Sequence, residues 1–328
     1  MIVGLAGPAL SGEEATLLRA QPPAGAILFR RNVEDPAQLR ALTRALRAVL
    51  PPGAAILVDQ EGGRVARLRP PHWRAHPPAG AIGALHARDA AAGLRAAWLT
   101  GALIGLDCAG VGIDMACAPV LDLRHPGAHD VVGDRSFGAD PRAVADLGRA
   151  MAEGLLAAGV VPVGKHAPGH GRARADSHLA LPEVDADDLN DDMLPFVANA
   201  QFPAMMTAHI RYAALDPERP ATLSPRVVGE VIRGRIGFDG LLLSDDLAMQ
   251  ALSGTPAARA LGALAAGCDL ALYCPGDATG NAAVLAACPA LTEAAARRLT
   301  AARTLAAARR QSRDGAALAA ERERLLGA

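Results

Sequence analysis

Lys165-His166-Ala167-Pro168-Gly169-His170-Gly171, followed by Asp176-Ser177-His178, gathers three histidines, a lysine and an aspartate within fourteen residues, between proline and glycine punctuation. Such a run has no apolar face to bury and is expected to form a loop. A loop this dense in titratable groups suits chemistry better than mere connection. An imidazole two residues from a carboxylate can be held in one orientation by it, which suits general acid or base work near neutral pH. Two solvated loop side chains are the plainer alternative, and the neighbouring Lys165-His166 pair weighs against it. Ser244-Asp245-Asp246 closes a second informative stretch, an apolar run ending at Leu243. A carboxylate there can be a nucleophile, a metal ligand or a helix N-cap. Asp246, leading into Leu247-Ala248-Met249, fits the cap. Asp245 is the better candidate for chemistry, because a strand would aim it. Asp59-Gln60-Glu61-Gly62-Gly63-Arg64-Val65-Ala66-Arg67 and Gly133-Asp134-Arg135-Ser136-Phe137 could grip hydroxyl groups, although the second also reads as an Asp–Arg surface pair. His166, His170, Asp176 and His178 could instead hold a metal. No H-x-H follows the first apolar run and no H-E-x-x-H occurs, so neither a metal nor another cofactor is expected.

The elements that must position these groups are legible as eight short apolar runs, at 2–6, 25–29, 54–59, 111–117, 160–166, 203–209, 240–245 and 269–274. Most are near-continuous rather than alternating, as parallel strands buried on both faces require. Stretches with helical spacing lie between most of them, among them 36–50, 89–106, 140–158, 225–236 and 255–266. Asp140-Pro141 and Ser224-Pro225 supply N-cap and first-turn signals. This alternation predicts an α/β fold, a single (β/α)8 barrel of the TIM type over 1–328. A helical, Arg/Glu-rich C-terminal stretch, about 291–326, is expected to pack outside it. A doubly wound open sheet is the alternative, but Gly4-Leu5-Ala6-Gly7-Pro8 lacks the G-x-G-x-x-G spacing such a sheet often carries after its first strand. The barrel makes a test of itself. Asp59 ends the third run, Lys165 and His166 the fifth, His209 the sixth, Asp245 and Asp246 the seventh, and in a barrel all of these share the C-terminal rim, where active sites form.

A length of 328 residues accommodates one large barrel of about 250 residues with additions. The net charge of −1 gives no electrostatic footprint for nucleic acid or anionic lipid. Five cysteines, an odd set with no C-x-x-C, read as core thiols of a reducing compartment. No basic leader and no run of about 18 apolar residues is present, so a cytoplasmic location without membrane contact is expected. The stretch from Lys165 to Pro182 exceeds the roughly 2–6 residues usual between strand and helix, which suits a functional lid hinged at Gly169 and Gly171. Trp73, in the proline-rich segment 70–78, either stacks on a ligand or packs on the barrel.

In this order the motifs over 59–247 resemble glycoside hydrolase family 3, and specifically its bacterial β-N-acetylglucosaminidases of peptidoglycan recycling. The length is similar to the short, single-barrel form. Lys165-His166-x-Pro168-Gly169-His170-Gly171 with Asp176-x-His178 is the most specific block; Asp59-Gln60-Glu61-Gly62-Gly63-Arg64-Val65, Gly133-Asp134-Arg135-Ser136-Phe137 and Ser244-Asp245-Asp246-Leu247 support it. The resemblance implies a two-step retaining mechanism. Asp245 would be the nucleophile, His178 the acid/base and Asp176 its dyad partner, on a loop that closes over substrate. Asp59, Arg67, Arg135, Lys165 and His166 would hold the sugar, with His209 as an additional lining residue. The implied substrate is a small saccharide or muropeptide, N-acetylglucosamine β-1,4-linked to 1,6-anhydro-N-acetylmuramic acid with or without peptide. A phosphorylase of the same family is a neighbouring reading, because a neutral acid/base does not repel phosphate. A metal-dependent barrel hydrolase and a non-catalytic sugar binder are the more distant ones. The motifs do not fix the oligomeric state; a monomer is the expectation.

Overall fold

The structure, a computed structural model, describes residues 1–327. Among them, eight parallel strands close a barrel: β1 (Ile2–Gly4), β2 (Gly25–Leu28), β3 (Ala55–Val58), β4 (Met115–Ala116), β5 (Val161–Ala167), β6 (Ala204–Thr207), β7 (Leu241–Asp246) and β8 (Leu270–Tyr273). Each strand pairs with the next in the chain, and β8 returns to β1, so that Ile2 lies between Gly25 and Leu272. Every apolar run of the sequence overlaps one of these strands, with β5 and β7 each running one residue beyond the run, and the fold is the TIM-like α/β barrel that their alternation with helices predicts.

The strands are apolar without interruption because both faces are buried. Ile27, Leu57, Val163, Met206, Leu241, Leu243 and Leu272 fill the barrel interior. Their neighbours Ala26, Leu28, Ile56, Val58, Met205, Leu242 and Ala271 pack in the surrounding core shared with the helices. Successive side chains of a strand point to opposite faces, so each short run serves two cores at once. The helices begin where the local chemistry directs. Asp35 and Asp140 accept N–H groups of the first turns of Pro36–Val49 and Pro141–Ala157, with proline in the first helical position. Ser224 likewise accepts from Val227 N–H at 3.0 Å, but the turns that follow, Val227–Arg235, wind more widely as a π-helix.

The C-terminal stretch forms two helices. Glu293–Arg309 contributes Leu299, Ala302 and Ala306 to the interior cluster. Gly315–Leu326 packs Leu318 against Leu99, Ala102 and Leu103, and its buried Arg322 donates to His76 Nδ1 at 2.8 Å and the Ala75 carbonyl at 3.0 Å. Trp73 lies partly buried against the main core. Four cysteines are buried and Cys288 is half-buried, and all five are free thiols. Among the described residues no helix is long and apolar enough to cross a membrane.

One expectation needs correction. Lys165, His166 and Ala167 are the buried end of β5 and not loop. Their polar groups are affordable there because partners meet them inside the barrel mouth. The irregular segment starts at Pro168, passes a two-residue ladder between Glu183–Val184 and Arg211–Tyr212, and reaches the helix Asn190–Ala198. Gly169 (φ 136°) is in the region that favours glycine, and a Cβ on Gly171 would meet the Leu123 carbonyl oxygen at 2.2 Å.

Candidate active site

At the C-terminal ends of the strands, a cavity of about 120 Å³ is lined by residues that include Asp59, Glu61, Arg67, Arg135, Lys165, His166, His170, His178 and Asp245. One wall is a chain of alternating charges. Arg67 donates to Asp59 at 3.1 Å, Lys165 Nζ bridges Asp59 at 2.9 Å and Glu61 at 2.7 Å, and Arg135 binds both oxygens of Glu61 at 2.8 Å. Three cations against two anions leave one positive charge beside Asp245. Local folding sets each member. β3 carries Asp59 to the rim, and Gly62 (φ 107°) and Gly63 (φ 52°) turn the chain back at once. The buried Gln60 amide accepts Arg67 N–H at 2.7 Å and Leu68 N–H at 3.0 Å, which returns Arg67 to the mouth. Lys165 and His166 are consecutive in β5 yet line the same cavity, because the register with β6 shifts between Lys165 and Ala167. Arg135 engages Glu61 and not Asp134, which pairs with Arg64 at 3.1 Å.

A second group surrounds Asp122, which is fully buried after β4. Its carboxylate lies 2.6 Å from His166 Nδ1 and accepts the backbone N–H groups of His166 (3.1 Å) and His170 (2.7 Å). His170 in turn lies with Nε2 3.1 Å from Ser177 Oγ. Burial pushes His170 down to about 4, so its ring is neutral at physiological pH.

The third wall is the end of β7. Asp245 Oδ1 accepts Asp246 N–H at 2.8 Å. Burial alone would raise the Asp245 carboxyl; His166, His209, that N–H and Lys165 outweigh it and hold the group below its usual range, ionised at neutral pH. Asp246 does a different job, accepting Ala248 N–H at 2.9 Å and Cys274 N–H at 3.1 Å. It is not the helix N-cap its sequence context suggests, because the next helix begins only at Pro256; it ties the turn after β7 to the residue that follows β8. His209 is corrected likewise. It is fully buried, absent from the cavity lining, and bonded at both ring nitrogens, to the Asp246 carbonyl (2.9 Å) and to Thr222 Oγ (2.8 Å). With both ring nitrogens engaged, His209 supports the end of β7 and has none free for a sugar.

The fourth part is the Asp176–His178 turn. His178 Nδ1 lies 2.7 Å from Asp176 Oδ1, and the same oxygen accepts His178 N–H at 2.9 Å. Burial is the largest single influence and would raise the Asp176 carboxyl, but these two contacts and the neighbouring His178 and His129 rings together hold it below its usual range. The His178 side chain is 62 % exposed, so its free Nε2 edge can exchange protons with bulk water. Among the described residues, no group of three or more His, Cys, Asp or Glu side chains is placed to hold a metal ion. A larger cavity of about 460 Å³, lined by His125, Arg172, Arg174, Glu183 and Asp185, shares no residue with the site, and several of its charges are spent in pairs: Arg172 and His125 on Asp192, Glu183 on Arg211.

All the candidate residues except His209 thus meet around one cavity, with Asp176 one step behind it. Glu61, Asp122 and Ser177 were not among the candidates. Glu61 stood in a quoted motif beside the more conspicuous Asp59. Asp122 follows the apolar stretch Val120-Leu121, six residues past the end of β4, outside the apolar run 111–117 to which the rim rule applies.

The buried carboxylates make a pH prediction. Burial would raise them, but neighbouring cations win: Lys165 and Arg67 hold Asp59 well below its usual value, Arg135 and Lys165 bring Glu61 to about 2, and His166 brings Asp122 to about 2. Each folded-state value lies below its unfolded one. Their stabilisation is therefore complete above about pH 4.5 and is lost as the pH falls through that point towards 2. The melting temperature should change little on account of these groups between pH 7 and 5, where their stabilisation is complete, and fall steeply below about 4.5. A melting temperature that stayed level down to pH 3 would contradict the charge chain.

The family model for the glycosyl hydrolase family 3 N-terminal domain matches residues 4–310. The chain belongs to glycosyl hydrolase family 3. The β-hexosaminidase of Alkalilimnicola ehrlichii is 44 % identical over 281 residues, covering 84 % of this chain and 80 % of that protein. That of Pseudomonas aeruginosa is 42 % identical over 293 residues, covering 87 % and 85 %. Among solved structures, NagZ of Neisseria gonorrhoeae in complex with N-trifluoroacetyl-D-glucosamine superposes with a TM-score of 0.88 at 33 % identity, covering 99 % of this chain and 97 % of that one. The family 3 chain described here is accordingly a glycosidase of the β-hexosaminidase type.

Proposed function

We propose that this family 3 glycosidase is a retaining exo-β-N-acetylglucosaminidase that removes terminal N-acetylglucosamine from muropeptides in cytoplasmic peptidoglycan recycling, with Asp245 as nucleophile and His178 as acid/base. The observation that carries the reading is one cavity lined by both an ionised carboxylate on a rigid strand end and an imidazole oriented by its own carboxylate. In the first step an Asp245 oxygen attacks the anomeric carbon as the bond to the leaving oxygen breaks, and His178 Nε2 gives that oxygen a proton. In the second, His178 Nε2 takes a proton from water as the water displaces Asp245. Two inversions retain the β configuration. Asp176 orients the ring through Nδ1, leaving Nε2 as the working nitrogen, and balances its charge while it is protonated. Asp59, Arg67, Arg135, Lys165 and His166 are assigned to the sugar hydroxyls. The cavity is below the roughly 300–1,000 Å³ of drug-sized ligand sites, which suits one sugar ring and hence end-wise cleavage. The Neisseria relative's complex with an N-acylated glucosamine supports the choice of sugar.

The test is hydrolysis of aryl N-acetyl-β-glucosaminides and of the anhydro-muropeptide by wild type and His178→Ala. With the muropeptide, whose leaving group needs a proton, the variant should lose on the order of 10²–10⁴ in rate. With a dinitrophenyl leaving group the first step should fall far less. Equal losses with both would end the acid role of His178. A wild-type rate that rose with added phosphate would turn the reading to phosphorolysis.

A further inference from the structure

The Asp176–His178 turn is held internally by its own contacts, including Leu179 N–H and Ala180 N–H to the Asp176 carbonyl at 2.9 and 3.0 Å. Those bonds shape the turn but do not locate it over the barrel. Two backbone bonds at 3.3 Å, from Gln250 N–H to the His178 carbonyl and from Ala251 N–H to the Ser177 carbonyl, reach it from the segment after β7. Among the described residues, one side-chain hydrogen bond of Asp176, Ser177 or His178 leaves the turn, and it joins Ser177 Oγ to His170 Nε2. Both partners are almost wholly buried, Ser177 at 2 % and His170 at 3 % exposure, so water does not compete for the contact. His170 is itself seated by its N–H on Asp122, whose other oxygen orients His166 in the sugar-side wall.

We propose that Asp122, His170 and Ser177 are positioning residues: Asp122 seats His170, His170 anchors the Ser177 hydroxyl, and Ser177 sets where His178 stands relative to Asp245. The proposal rests on the reading of His178 as acid/base. One buried carboxylate thereby ties the group facing the sugar, His166, to the group facing the leaving oxygen, His178. Proton transfer tolerates little misplacement, and an error near 1 Å at a reacting group costs on the order of 10²-fold in rate. Ser177 borders the cavity, but its buried hydroxyl is spent on His170, so under this scheme its effect must appear only in steps that need the proton.

The experiment compares wild type, Ser177→Ala, Ser177→Thr and His170→Asn on aryl N-acetyl-β-glucosaminides of graded leaving-group acidity, with inhibition by N-acetylglucosamine as the measure of sugar binding. Ser177→Ala should lower kcat/KM by roughly 10- to 100-fold on the least acidic leaving group and by no more than about threefold on the dinitrophenyl one. N-acetylglucosamine should inhibit it within about twofold of wild type. Ser177→Thr, which keeps the hydroxyl, should recover most of the loss. His170→Asn should resemble Ser177→Ala, and the double variant should lose no more than the single ones, as groups acting in series do. A loss equal across all leaving groups, full activity on the poorest one, or additive losses in the double variant would each overturn the proposal. If His178→Ala shows the leaving-group dependence and Ser177→Ala does not, the anchor alone fails. If neither shows it in an enzyme that hydrolyses the substrates, the acid/base reading fails first.

Discussion

Asp245→Asn should abolish turnover, with a fall on the order of 10⁴-fold or more on every leaving group, while the protein melts within a few degrees of wild type. The size follows from the role. A carboxylate held below its usual pKa by His166, His209, the Asp246 N–H and Lys165 is an available nucleophile at neutral pH, and a neutral amide of the same shape is not. The fold should tolerate the change because Asn keeps an oxygen to accept the Asp246 N–H, the one hydrogen bond the Asp245 side chain makes among the described residues. Loss with every leaving group separates this variant from His178→Ala, whose first-step defect should shrink as the leaving group improves. Residual activity within tenfold of wild type, in a preparation free of contaminating enzyme, would place the nucleophile elsewhere.

Lys165→Met should damage stability as well as catalysis, and this expectation differs from the sequence reading, in which Lys165 mainly grips sugar. Its ammonium is 3 % exposed and lies between Asp59 and Glu61. Burial alone would lower its pKa; the two carboxylates overrule that and keep it charged. Removing one member of such a set strands the others. Asp59 keeps Arg67 and Glu61 keeps Arg135, but two carboxylates would face each other across the vacated space. Breaking a buried pair from one side costs about 3–5 kcal/mol, which for a chain of this size lowers the melting temperature by roughly 10 °C. Differential scanning calorimetry at pH 7 is the measurement. A melting temperature unchanged within 2 °C (an order-of-magnitude threshold on the same scale), with catalysis lost, would return Lys165 to a purely sugar-binding role.

The barrel, the strand count and the gathering of most candidate residues around one cavity were legible in the chain itself. The reason is periodicity. A strand buried on both faces must be apolar along its length, so polar residues appear only where it ends, and in a parallel barrel those ends share one rim. Asp59, Lys165, His166 and Asp245 announced themselves as interruptions of this kind. Helix starts were equally local, as Asp140-Pro141 shows.

Pairing was decided only by the closed barrel. Nothing in the order of residues says that Glu61 and not Asp134 takes Arg135, or that one lysine serves two carboxylates. Those choices depend on distances between strands β3, β4 and β5 and the loops that follow them. His209 obeyed the rim rule and still fell behind the wall, because which way a residue at a strand end turns is set by its contacts, here Thr222 and the Asp246 carbonyl. Asp122 and Ser177 were overlooked for the converse reason. Each looks ordinary in its local stretch, and each acquires a duty only when β5 and its long connection bring His166 and His170 against them. The sequence by itself determined which groups would gather at one end of this protein. The tertiary structure decided which of them would line the cavity and which would hold the others in place, since hydrogen bonds and ion pairs choose partners by position in space and not along the chain.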